Sequence, residues 1–309
     1  MSSPTQKNTP TNIETWWSIN KLVVTVILTW LISNIIAVGV AMPMFDFSEK
    51  TMVEFIANPI IYPQYKMAML QIQGIISVFT FVAAPMFYLK YVDNVANPIV
   101  LSRIEPISVK PLLWILTPLI VIGFMPVDSW IVEWNQSIAL PEAFKGIEQW
   151  AKETENQLQA LTKYLTSFDN IIEFLAALVI LSVVPAIGEE LLFRGVLQNK
   201  IQQLTKNYHV AIWIAAFVFS AIHFQFYGFV PRLLLGALFG YLYVWSGNLA
   251  IPMLAHFVNN GFTLLLLYAG VNLDTTVPIE FAALSFVLVS TFVYFFKKIA
   301  TENTQQPTL

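Results

Sequence analysis

Three groups of ionisable or amide side chains lie within apolar stretches of this 309-residue chain. Glu189 and Glu190 follow the largely apolar run from Phe174 to Ile187. Arg194 stands four residues after Glu190, the spacing at which a helix pairs opposite charges. One carboxylate is thereby neutralised and the other is left spare. His223 closes the run Phe219-Ser220-Ala221-Ile222-His223, a lone imidazole among aromatic and aliphatic neighbours. His256 and Asn260 are four apart, which puts both on one helical face about 6 Å from each other. A carboxylate to take a proton from water, an imidazole to orient that water and donors for a developing oxyanion are what water-mediated amide hydrolysis requires.

A charge at the centre of a bilayer costs about 2.5 to 3.5 kcal/mol, so each of these groups needs a reason to be there. Taken singly, each has a plain one. Glu189, Glu190 and Arg194 fit the wet end of an apolar helix. His223, His256 and Asn260 fit hydrogen bonds between helices. Gly236 and Gly240 have the small-xxx-small spacing of close helix packing and are assigned no chemistry.

Taken together, the three groups resemble a known set. Glu189-Glu190-Leu191-Leu192-Phe193-Arg194 fits E-E-x-x-x-R, Phe219 to His223 fits F-x-x-x-H, and His256 to Asn260 fits H-x-x-x-N. In this order and at these separations they resemble the CAAX-protease-like (CPBP, or Abi) family of intramembrane peptidases, which includes type II CAAX prenyl endopeptidases. The resemblance covers about 171 to 270. It implies that Glu189 and His223 activate the attacking water, that His256 and Asn260 stabilise the oxyanion, and that Glu190 and Arg194 support the glutamate-bearing helix. Family members are often described as metalloproteases, and Glu189, His223 and His256 are the candidate ligands if zinc is used. The zincin H-E-x-x-H is absent, and a mechanism without bound metal is the favoured version.

The activity so implied is endopeptidase cleavage near the cytoplasmic half of the membrane. The substrate would be a membrane-embedded or lipid-modified peptide, with a prenylated CAAX tail as the analogy. A non-catalytic immunity or scaffold protein is the main alternative and a transporter the third. No internal repeat of the transporter kind is visible, and no G-x-S-x-G elbow suggests a serine peptidase.

The composition sets the solvent these groups sit in. Hydrophobic residues make up 57% and charged ones 11%, with a mean hydropathy of +0.65, whereas soluble domains carry about a quarter charged residues. The net charge of −3 comes with no basic stripe, which leaves nucleic-acid binding without electrostatic support. With no cysteine there is no thiol nucleophile, disulfide or Cys-ligated zinc. Apolar runs of about 18 to 25 residues, without two-residue alternation, predict an all-α polytopic transmembrane bundle.

Spans are expected at about 22 to 43, 66 to 89, 111 to 132, 171 to 195, 209 to 226, 228 to 246, 248 to 269 and 277 to 296, about eight in all. Residues 1–170 form an N-terminal part, 171–270 the catalytic core, and 271–309 the last span and tail. The first residues lack the features of a signal peptide, so the first span is expected to stay attached. Lys7, Lys21, Lys90, Arg103, Lys110, Lys200, Lys206, Lys297 and Lys298 fall on one side, which the positive-inside rule makes cytoplasmic, with both termini. The expected place is a bacterial inner membrane.

Between the third and fourth spans, Ile147, Trp150, Ala151, Leu158, Leu161 and Leu165 recur at helical spacing. They predict an amphipathic helix on the outer surface that serves as a lipid anchor or a gate. These boundaries put Glu189 near the cytoplasmic end of its helix and His223 about 20 Å in from that side at 1.5 Å per residue. The mismatch approaches 10 Å and must be absorbed by a kink at Pro185, helix tilt or a boundary shift.

Overall fold

The structure is a computed structural model, and it describes residues 11–45, 54–95, 109–273, 275 and 277–302. Lys7 and Arg103, which enter the charge bias above, lie outside these residues. Long helices dominate, and no strand occurs among the described residues. They are α1 (Asn12–Ala41), α2 (Pro63–Val92), α3 (Pro111–Gln136), α4 (Lys145–Leu165), α5 (Ile171–Thr205), α6 (Tyr208–Ala221), α7 (Phe229–Ser246), α8 (Ala250–Tyr268) and α9 (Ile279–Thr301). Seven of these, all but α4 and α6, are long and apolar enough to cross a bilayer. The protein is therefore an all-α, multi-pass membrane bundle.

Local chemistry fixes several helix ends. Thr11 caps α1 in a reciprocal box with Glu14. Asn170 accepts from the amides of Ile172 and Glu173 at the start of α5, and Asn207 does the same for His209 and Val210 at the start of α6. Gly247, at φ +65°, ends α7 in the left-handed region that glycine adopts without a Cβ penalty.

Two expected boundaries are corrected. The fourth span does not stop at 195, because α5 runs on to Thr205. The fifth does not run to 226, because α6 ends at Ala221, and 14 residues reach only about 21 Å. The apolar residues Ile222, Phe224 and Phe226 continue the hydrophobic run through a turn, and periodicity does not separate such a turn from helix. Phe224 takes a φ of +54°, a conformation an aromatic residue rarely adopts, which breaks the helix there.

Around the core, α6 lies along α7, α3 packs on α9 and α8, and α1 packs on α2. The main apolar cluster joins Leu113, Ile120 and Val121 of α3 to Phe239 and Leu242 of α7, Ile251 of α8 and Phe296 of α9. Gly236 and Gly240 lie where α6 crosses α7. A Cβ at Gly240 would lie 2.9 Å from Ile212 Cγ2, and one at Gly236 would lie 3.3 Å from Ala216 Cβ.

Helix α4 is the amphipathic segment. Ala151 and Leu165 are buried, while Ile147 and Trp150 are exposed. Its C-terminal end is fastened to α2: Tyr164 donates to the Tyr62 carbonyl at 3.0 Å, and burial pushes its phenol up to about 12, so it stays a donor at neutral pH. Next to it, Lys66 pairs with Glu173 at 2.6 Å and Asp169 at 3.3 Å. Along α4, Lys152 pairs with Glu148, which holds the carboxyl below its usual range and the ammonium above its own.

Candidate active site

The glutamate pair sits in the middle of α5. Pro185 has no N–H to give to the carbonyl of Leu181, its partner four residues back. The helix widens to π geometry over Val179–Val183, and the Leu181 carbonyl instead accepts from Asn260 Nδ2 at 3.1 Å. Ser182 makes a second tie to α8 through the Phe257 carbonyl. A second π segment, Leu191–Gln198, follows the pair, so Glu189 and Glu190 lie on a short α-helical stretch between two widened ones, a common feature of functional sites. Just before them, Gly188 lets α2 approach: a Cβ there would stand 2.7 Å from Phe81 Cβ.

Glu190 is fully buried, and its Oε1 takes two partners, Arg194 Nη1 at 2.7 Å and His256 Nδ1 at 2.9 Å. Arg194, 1% exposed, sends Nη2 to the Gly236 carbonyl at 2.7 Å and lies between the rings of Phe219 and Phe239. Gly236 thus does more than allow close packing, since its carbonyl is open to α5 because it has no side chain. Glu190 also fixes His256. A carboxylate only accepts, so Nδ1 is the donor and Nε2 turns toward Glu189, with 3.9 Å between Nε2 and Oε2. Glu189 has no ion pair with Arg194, and it is the spare acid of the two.

His223 enters the site from the turn that follows α6. From the two-residue turn at Lys206 and Asn207, Glu189 lies sixteen residues back from Thr205 and His223 fifteen on from Tyr208. These correspond to roughly 24 Å and 22 Å at about 1.5 Å per residue. Extending α5 to Thr205 thus makes the two arms nearly equal in residue count. His223 Nδ1 bonds its own helix's Phe219 carbonyl at 2.8 Å, so in the neutral ring the proton is on Nδ1 and the lone pair on Nε2. Phe219 stacks edge-on between His223 and His256, with ring centroids 5.2 and 6.1 Å away, which places both imidazoles around one aromatic ring.

Two residues outside the three motifs join the site. Asn135 of α3, almost completely buried, accepts from Val230 N at 2.8 Å and donates to the Phe226 carbonyl at 3.2 Å, clamping the turn that follows His223. Arg232 of α7 bonds Gln225 Oε1 at 2.5 Å and the Gly228 carbonyl at 3.3 Å. Arg232 also lies close enough to Glu189 and His223 to act on both electrostatically. The intramembrane position of Arg232 was the signal that could have marked it in the sequence.

A metal ion does not fit this arrangement. Among the described residues, no three His, Asp or Glu side chains are grouped to hold one, although the Nδ1 bonds to Glu190 and Phe219 leave Nε2 of both imidazoles open. Glu189, His223 and His256 are near one another without forming a ligand set.

The acid pair meets His256 and Asn260 between α5 and α8, and His223 adjoins them across Phe219. Residues 171–262 match the type II CAAX prenyl endopeptidase Rce1-like family. This Rce1-like segment contains all three motifs and every residue of the site except Asn135. A Bacillus subtilis (strain 168) protein, "Uncharacterized protein YpbD", is 36% identical over 85 residues, covering 26% of this chain and 40% of the relative. The chain thus spans about two-fifths of the curated relative it matches. No solved structure matches it significantly.

Proposed function

We propose that the protein is an intramembrane endopeptidase that uses Glu189 to activate water against a peptide bond of a membrane-associated substrate. The observation that carries this reading is the division of the acid pair. Arg194 and His256 both bond Oε1 of Glu190, while Glu189 faces His256 Nε2 across 3.9 Å, a gap that one water can bridge. The Rce1-like match of the segment supports the same class of chemistry.

In this mechanism Glu189 takes a proton from the water, and His223 orients that water through the Nε2 lone pair. Oxygen adds to the carbonyl carbon, and the proton held by Glu189 passes to the leaving amine as the C–N bond breaks. His256 and Asn260, on one face of α8, line the side on which the oxyanion forms. Asn260 Nδ2 carries two hydrogens, of which Leu181 takes one. Arg194 and Glu190 hold His256 in place and do not touch the substrate. The substrate is a lipid-modified peptide, as a prenylated CAAX tail would be, or a membrane helix. The protein sits in a bacterial cytoplasmic membrane with the Lys200 and Lys206 face in the cytoplasm.

The test is hydrolysis of a membrane-peptide library by the purified protein in lipid vesicles, with and without a chelator. Turnover should fall by about 100-fold or more in Glu189→Ala and in His223→Ala, and should be insensitive to the chelator. Full turnover in both variants ends the proposal.

A further inference from the structure

A cavity of about 1510 Å³ lies beneath α4. Glu133 of α3, Asn156 and Ala160 of α4, and Gln225 and Tyr227 from the turn after His223 contribute to its wall, which also includes Arg232. Glu155 Oε1, on the same wall, accepts from Gln225 Nε2 and Gln159 Nε2, and Gln225 Oε1 in turn accepts from Arg232.

Two atoms of this lining have no partner among the described residues: Glu155 Oε2 and Tyr227 OH, on side chains that are 8% and 6% exposed. Leaving such a group unsatisfied costs about 1–3 kcal/mol, so a wall that keeps two of them is suited to water or a polar ligand. The rest of the wall includes the apolar Val132, Ala160, Leu267, Val271 and Leu273. The opposite face is different. A second cavity, about 950 Å³, opens beside Lys200 and Lys206; its lining comes nearest the site at Gly195 and Val196, where that of the first comes nearest at Gln225, Tyr227 and Arg232, and neither lining includes Glu189 or His223. Every residue from Leu191 to Val196 is buried, and clusters around Phe193, Tyr243 and Leu249 close that side.

We propose that peptide and hydrolytic water reach Glu189 through the cavity beneath α4, from the membrane face opposite Lys200 and Lys206. The substrate class is then a membrane-anchored peptide with a polar stretch that enters from the α4 face. This rests on the peptidase reading above and moves the point of access away from the cytoplasmic half expected from sequence.

The chain has no cysteine, so single-cysteine variants of the full-length protein report without background. Asn156→Cys, Gln225→Cys and Lys206→Cys are reconstituted in sealed vesicles of one orientation and treated with a membrane-impermeant methanethiosulfonate. Gln225→Cys should react from the side that modifies Asn156→Cys and not from the side that modifies Lys206→Cys. Reaction only from the Lys206 side, or no reaction of Gln225→Cys while Asn156→Cys reacts, overturns the route. A bulky adduct on Asn156→Cys should lower peptide hydrolysis at least tenfold, and unchanged turnover after complete modification also overturns it. If the unmodified protein hydrolyses no peptide, the peptidase reading and the substrate class fall together, while the labelling still decides the face from which the site is reached.

Discussion

Replacing Arg194 with methionine keeps most of the side-chain volume and removes the charge. In the structure this deletes the 2.7 Å bond to Glu190, the 2.7 Å bond to the Gly236 carbonyl and the cation held between Phe219 and Phe239. The dominant effect is the Glu190 carboxylate, which is left fully buried with only His256 beside it. Breaking one side of a buried ion pair costs about 3–5 kcal/mol, a large share of a typical folding free energy of about 5–15 kcal/mol. Removing both charges is different. In Glu190→Gln/Arg194→Met no charge is stranded, and the amide oxygen still accepts from His256 Nδ1. The double variant should recover about 2 kcal/mol or more of the loss. The assay is reversible unfolding in mixed detergent micelles for both single variants, the double and the parent protein. A double variant as unstable as Arg194→Met, or an Arg194→Met loss below about 1 kcal/mol, would refute the assignment of this pair as a buried, mutually compensating one.

Asn260→Ala should destabilise by about 1–3 kcal/mol, because the Leu181 carbonyl loses its donor. Adding Pro185→Ala restores a backbone N–H four residues on, and unfolding should show the loss partly reversed. Gly188→Ala should cost more than Gly240→Ala, within the roughly 1–3 kcal/mol of overpacking. At Gly188 the new methyl meets the Phe81 Cβ at 2.7 Å and lies 3.1 Å from its backbone, whereas at Gly240 the nearest atoms are side-chain ones, Gln198 Oε1 and Ile212 Cγ2, at 2.9 Å. Equal thermal shifts in the two variants would count against this. Asn135→Ala should lower kcat about tenfold with KM little changed, since it loosens the turn behind His223 without touching the substrate. A change confined to KM would show that the turn contacts the substrate directly.

Much of this architecture was legible in the sequence because the bilayer leaves few options. Long apolar runs had to be helices, and the alternation of apolar and polar residues from Ile147 to Leu165 had to be a helix lying against something. The Glu190–Arg194 spacing pointed to the pairing the structure contains. What could not be read was where hydrophobicity and helix part company. Phe224 and Phe226 are as apolar as any span residue, yet they form a turn, and the polar residues Gln198 to Gln203 are helical because α5 continues past its apolar stretch. The partners of the site were hidden for another reason. Asn135 and Arg232 act through contacts more than 90 positions away in the chain or across helices, and neither belongs to a local pattern. Pro185 was legible as a kink, but the carbonyl it frees, and the amide of Asn260 that takes it, are visible only when α5 and α8 are seen side by side.

The tight link at Lys206 and Asn207 makes α5 and α6 a ruler. Glu189 and His223 are 34 positions apart, and the two arms on either side of the bend, sixteen and fifteen residues, are nearly equal. One inserted residue in a single arm would swing its functional group by about 100° and shift it by about 1.5 Å. Length changes in this hairpin are therefore tolerable only in matched steps on both arms, close to whole helical turns, and a chain whose two arms differ by half a turn would carry the same residues with no shared site.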